Sequence, residues 1–232
     1  MIQKQSMDNI KNYINQSRKV YMERKETTLH KNINVIIKDP LPEHISLAKV
    51  LEYIEKLIPK HLVYNIDSIY IGDFEFMRQK EINAVYMDGA LYIFNLQKNE
   101  SDLAEDIVHE ISHAVEERYS REIYEDQKII DEFYAKRIKL YHVLLAYDHK
   151  VDIDQFKNMD YDEAFDKFLY QQIGYDKLEH FVMNLFLSPY AVTSVREYFG
   201  SAFEEYFLGN KEELAQLSPV AYNKIEYLAN GD

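Results

Sequence analysis

The residues with the most chemical content are His109-Glu110-Ile111-Ser112-His113, an HExxH pattern inside a stretch of helical periodicity. Side chains four apart on a helix share one face, so both imidazoles are directed at one point. Two imidazole nitrogens at that spacing suit a zinc ion at about 2.0–2.1 Å. Glu110, next to the first histidine, reaches a metal-bound water rather than the metal. A carboxylate there is the base needed to take a proton from that water. Two histidines are an incomplete set, because a catalytic zinc takes three protein ligands and keeps one position open. The chain has no cysteine, so the third ligand is His, Asp or Glu. A histidine six residues after His113 is excluded, since position 119 is Tyr119. Glu116 and Glu117 share the helix, but three ligands within two turns strain a tetrahedral site. His142, His149 and His180 stand alone in sequence. Those histidines stay possible, but a glutamate from a second helix packed across the first is the usual solution, and Ser194–Gly209 offers Glu197, Glu204 and Glu205.

These residues also carry a family resemblance. Tyr190, followed by Glu197-Tyr198-Phe199 and then Ala202-Phe203, resembles the C-terminal motif of the anthrax lethal factor-like zinc metallopeptidases, a gluzincin-type group that includes the Pro-Pro endopeptidases. Both halves occur in the family's order, HExxH first. The resemblance implies a zincin-like fold, Zn²⁺ as cofactor and a peptide or protein substrate. It implies that His109, His113 and Glu197 are the metal ligands and that Glu110 and Tyr190 are catalytic, with the Tyr190 hydroxyl donating to the oxyanion of the tetrahedral intermediate. It also makes Gly89–Asn95 similar to the family's edge strand, on which an extended peptide adds by strand pairing. Two features depart from the family. His113 and Glu197 are 84 residues apart, with the excess in a helical, aromatic-rich insertion at about 120–180. The acidic residue four after the ligand glutamate is replaced by Ser201, so support for the histidines must come from elsewhere.

The positioning elements can be read from hydrophobic spacing. Residues 7–26 carry a helical stripe of Ile10, Ile14, Val20 and Tyr21. Asn34–Lys38 and Ser68–Gly72 read as strands, and Ile45–Ile58 as an amphipathic helix. Ala84–Asn95 reads as a hairpin, because Asp88-Gly89 separates two β-rich runs. Ser101-Asp102 is the expected N-cap of the HExxH helix, which runs to about Tyr119. Further helices are expected at 125–148, 161–171, 177–187, 194–207 and 218–229, with a loop at 148–160. Strands precede residue 95 and helices follow residue 100. That segregation predicts an α+β fold with a small N-terminal sheet rather than alternating βαβ units. Glu204-Glu205 reads as a solvated helix face.

Composition supports these readings and limits the rest. The 232 residues contain only 6 Gly and 5 Pro, as expected of long helices. Absence of cysteine removes thiol nucleophiles, disulfide scaffolds and thiolate metal sites. Net charge is −13, which argues against nucleic-acid binding. It is unevenly spread: residues 1–38 have 8 Lys and Arg against 3 Asp and Glu, a net of +5, and the remainder carries −18. The division expected is a basic helical arm, 1–31, and a single metallopeptidase domain, 32–232. The arm reads either as a solvated amphipathic helix or as an element that docks on an acidic surface, its own or that of a protein partner. With no apolar leader after Met1 and no membrane-spanning run, the expected location is cytoplasmic, without membrane binding. A second reading keeps the fold as an inactive scaffold in a phage particle or toxin system.

Overall fold

The computed structural model describes residues 27–231. The basic arm's helical stretch, 7–26, lies outside the described residues. Thr27–Leu29, placed in the arm by the sequence reading, is instead a strand, β1, paired with β2 (Ile33–Ile37).

The fold is α+β, with five strands ordered β1–β2–β3–β5–β4, where β3 is Ser68–Gly72, β4 is Ala84–Met87 and β5 is Ala90–Phe94. β1–β2 and β4–β5 are antiparallel pairs. β2, β3 and β5 run parallel. Helix α1 (Leu47–Leu57) makes the crossover between β2 and β3, a local βαβ unit that strand–helix segregation along the sequence did not reveal. A short α2 (Glu75–Lys80) follows β3. The hairpin turn falls at Asp88-Gly89, both with positive φ (51° and 79°), as the Asp-Gly signal requires.

This topology corrects one expectation. The strand covering Gly89–Asn95 is internal, held between β3 and β4, and the free edge beside the HExxH helix belongs to β4. The reason is pairing geometry: β5 supplies both a parallel ladder to β3 and the return arm of the hairpin.

One face of each inner strand points into the core through Val35, Ile69, Ile71, Leu91 and Ile93. Against it lie α1, through Val50, Leu51 and Ile54, and α3 (Glu100–Arg118), through Leu103, Ile107 and Ile111. The N-cap of α3 is Asn99, not Ser101 or Asp102. The Asn99 side chain accepts from the Asp102 N–H at 2.9 Å, which satisfies one otherwise unpaired amide.

The C-terminal half is helical throughout. After α3 come α4 (Ser120–Tyr124) and α5 (Lys128–Ala146). The expected loop at 148–160 contains a short helix, α6 (Ile153–Lys157), capped by Asp152. α7 (Glu163–Lys167) continues as a π-helical segment, Phe168–Ile173, and α8 (Tyr175–Val182) follows. A single 3₁₀ turn, Tyr190–Val192, leads into α9 (Val195–Leu208). α10 (Lys211–Leu217) and α11 (Pro219–Asn230) close the chain.

Two charged side chains of α5 fasten the α10–α11 corner. The Lys136 ammonium donates to the Leu185 and Leu217 carbonyls and to Ser218 Oγ, at 2.7–2.8 Å. One turn earlier, Glu132 accepts from the Val220 and Ala221 amides and from the Tyr198 hydroxyl. A cation thus meets the C-terminus of α10 and an anion the N-terminus of α11, the favourable arrangement for both helix dipoles. α9 packs directly across α3, and this contact builds the site.

Candidate metal centre

α3 brings His109 and His113 to the side facing α9 and Glu110 to the edge of β4, while Leu103, Ile107 and Ile111 hold the helix on the sheet. α9 opens with Ser194, whose hydroxyl accepts from the Glu197 N–H at 3.1 Å. That cap starts the helix so that Glu197, in its first turn, points at the two imidazoles. Glu197 Oε2 lies 2.9 Å from His109 Nε2 and 3.6 Å from His113 Nε2. One potential ligand atom from each of the three residues falls within 4.8 Å of the others. Ligands about 2.0–2.1 Å from a tetrahedral zinc are separated by about 3.4 Å, so the three donors fit that ion. Histidine and carboxylate are also an appropriate donor set for it.

Among the described residues this is the only grouping of three such side chains with that convergence. His142 and His180 are exposed and lie in no such grouping. His149 stacks edge-on against Phe181, with ring centroids 5.7 Å apart.

The close approach of the two helices depends on Gly200. A Cβ there would lie 2.9 Å from His109 Cε1 and 3.1 Å from Ser112 Oγ, so α9 can sit this close only without a side chain. Gly200 is three residues after Glu197 and therefore on the same helical face.

The imidazoles are oriented from behind by acids that the motif does not contain. His109 Nδ1 lies 3.4 Å from Glu204 Oε2, and His113 Nδ1 lies 3.6 Å from Glu116 Oε2. A proton on His109 Nδ1, favoured by the neighbouring Glu204 carboxylate, leaves the His109 Nε2 lone pair free for a metal. Glu204 corrects the expectation of a solvated acid: seven residues after Glu197, it lies on the same helical face two turns on and beside the His109 ring. Glu116, weighed above as a ligand, stands behind His113 instead. The Tyr124 hydroxyl fixes Glu116 at 2.5 Å. Arg196 Nε approaches both His113 Nδ1 (3.1 Å) and Glu116 Oε2 (3.4 Å). The Arg196 Nε–H is the donor in the first of these contacts, so His113 Nδ1 accepts there, while the guanidinium also pairs with the Glu116 charge.

The electrostatics follow from this crowding of acids. Burial draws the His109 imidazolium down, but Glu197 and Glu204 outweigh it and raise its pKa to about 10. His113 is raised in the same way, with Glu116 and Glu197 overcoming burial. Burial opposes Glu197 ionisation, yet hydrogen bonds from both histidines take its pKa down to about 2. The pocket is thus tuned for positive charge, and a divalent cation would displace the shared protons.

Glu110 is buried, and that burial raises its pKa. Its Oε2 accepts the Tyr86 backbone N–H at 2.6 Å. Tyr86 belongs to edge strand β4. The Phe94 N–H donates to the Asn83 carbonyl at 2.7 Å, so alternation turns the main-chain groups of Ala84 and Tyr86 away from β5. The free edge therefore faces the Glu110 carboxylate. The Tyr86 hydroxyl donates to Glu117 on the same helix.

Tyr190 stands at the mouth, 42% exposed, its ring centroid 6.1 Å from that of His109. Burial of its hydroxyl and the charges of Glu197 and Glu110 push its pKa up, which keeps the phenol protonated as a donor.

The chain matches no protein-family description, no curated protein and no solved structure. Among the described residues no helix is long and apolar enough to cross a membrane.

Proposed function

We propose that this chain is a zinc-dependent endopeptidase of the gluzincin type, with a zincin-like arrangement of active-site helix and edge strand. The observation that carries the reading is the convergence of His109, His113 and Glu197, 84 residues apart in sequence at the last step, on one point. Zinc held by these three residues would supply a Lewis acid and a bound water acidic near neutral pH.

The remaining roles fall to side chains around it. Glu110 has one oxygen fixed by the Tyr86 amide and the other available to take a proton and return it to the leaving amine. Its raised affinity for protons suits a base working near neutrality. Tyr190, protonated and at the mouth, is placed to donate to an oxyanion. With the Tyr86 N–H held by Glu110, the outward Ala84 main-chain groups and the Tyr86 carbonyl of β4 offer ladder positions for an extended peptide, which aligns a scissile carbonyl beside Glu110.

The test measures bound metal and peptide cleavage together. The purified chain should carry one zinc per molecule by elemental analysis. Glu110→Gln should retain that zinc while cleavage of a denatured protein substrate falls by about 10²–10⁴-fold. Zinc-free protein, or undiminished cleavage by the Glu110→Gln chain, contradicts the reading.

A further inference from the structure

The insertion between the two halves of the site carries an acidic group with no assigned role. Asp166, on α7, is half-buried, and its two oxygens are each held by a phenol: Tyr161 donates to Oδ2 at 3.1 Å and Tyr175 to Oδ1 at 3.2 Å. Among the described residues no lysine, arginine or histidine forms an ion pair with it. Its neighbour Lys167 pairs with Glu163. The nearby buried cation Arg137 is committed to the Gln155 and Asn158 carbonyls. The carboxylate is therefore an uncompensated anion with acceptor capacity left after its two phenols.

A third ring extends the pair of phenols that hold this anion. The Tyr170 ring meets Tyr175 edge-on, centroids 5.4 Å apart, and Tyr161 and Tyr170 are 53% and 61% exposed. A cation that reaches this carboxylate meets its charge and, beside it, the quadrupoles of exposed tyrosine rings. The cluster also adjoins the metal centre. The Met159 carbonyl accepts the Val195 N–H at 2.9 Å, which ties the chain two residues before Tyr161 to the first turn of the Glu197 helix.

Building on the endopeptidase reading, we propose that Asp166 with Tyr161, Tyr170 and Tyr175 forms a substrate subsite that takes a lysine or arginine side chain of the peptide. The −18 charge of residues 39–232 favours approach of the same peptides. A purely structural Asp166 would staple the insertion and leave peptide preference unchanged.

The test is fluorescence anisotropy with labelled octapeptides, each scanned with Lys, Ala or Glu at a single position. They are bound to the full chain carrying Glu110→Gln, with and without added zinc. At one position Lys should bind about tenfold more tightly than Ala, as charge and cation–π contacts at a half-exposed site allow. Asp166→Asn should bring that ratio within about twofold and leave the Ala peptide unaffected, whereas Asp166→Glu retains the preference. Tyr170→Ala, which removes an exposed ring, should lower the ratio about threefold even if the Asp166 variants fold poorly. Lack of a Lys preference at any position in the parent, or its persistence in Asp166→Asn, overturns the proposal. Zinc content and cleavage decide the endopeptidase reading separately, so either conclusion can fail alone.

Discussion

Replacing Gly200 by alanine sets two known effects against each other at the site. Gly200 lies within α9, away from its ends, where alanine favours the helix by about 1 kcal/mol. On propensity alone the substitution stabilises. The new methyl, however, would sit 2.9 Å from His109 Cε1, 3.1 Å from Ser112 Oγ and 3.2 Å from His109 Nε2. Carbon atoms in optimal contact are about 3.5–4.0 Å apart, so His109 or the helix spacing must give by roughly half an ångström or more. Overpacking of this kind typically costs about 1–3 kcal/mol, which cancels or exceeds the helix gain. The metal centre is less tolerant than the fold. The ring that must move carries Nε2 2.9 Å from Glu197. Zinc sites hold ligand distances to within about 0.2 Å. Gly200→Ala should therefore melt within a few degrees of the parent without metal, yet bind zinc about 10–100-fold more weakly, comparable to losing an orienting partner. Zinc affinity by competition with a chromophoric chelator, alongside thermal melts of the metal-free proteins, separates the two effects. A variant that melts higher and binds zinc unchanged would refute the argued closeness of α3 and α9.

Other outcomes follow from neighbouring contacts. Glu204→Gln and Glu116→Gln should each weaken zinc binding about 10-fold or more in the same competition assay, with secondary structure intact, since each removes the carboxylate charge beside one imidazole. Asp106, whose Oδ2 accepts from Gln97 at 2.8 Å, has its pKa raised by burial to about 6. The native state therefore holds a proton that the unfolded chain, near 3.8, has released. Its favourable contribution is complete below about pH 3.8 and is lost as pH rises through about 6. Asp106→Asn should then raise stability at pH 7–8, by on the order of 2–3 kcal/mol at most, and change little below pH 4. Denaturant titrations across that range check the sign. Lys136→Met removes the donor shared by Leu185, Leu217 and Ser218. It should cost about 2–4 kcal/mol in urea unfolding because three acceptors lose their buried partner.

Local signals were legible where one short-range rule dominates. Ser68–Gly72 reads as a strand because β-branched and aromatic residues cluster there, and the Asp88-Gly89 turn because its positive φ values demand those types. The HExxH helix is legible from its period, although its true cap, Asn99, was obscured by the equally plausible Ser101 and Asp102. The short helices α2, α4, α6 and α10 were missed. Elements of five to seven residues contain too few turns to establish a period. At the site, the spacing of His109 and His113 identifies a shared face, but spacing leaves the third ligand open among several acids.

What the sequence determined alone is therefore the chemistry on offer: two imidazoles on one helical face with a carboxylate next to the first, no thiol, and a charge division between arm and body. Tertiary structure decided which residues meet. Only the packing of α9 across α3, permitted by the missing side chain at Gly200, selects Glu197 to face the histidines and Glu204 to stand behind one of them. Only strand order places β4, not β5, at the edge facing Glu110. The physical reason is range. Helical faces and turn types are set by neighbours a few residues away, whereas a site assembled across 84 residues depends on how two helices pack.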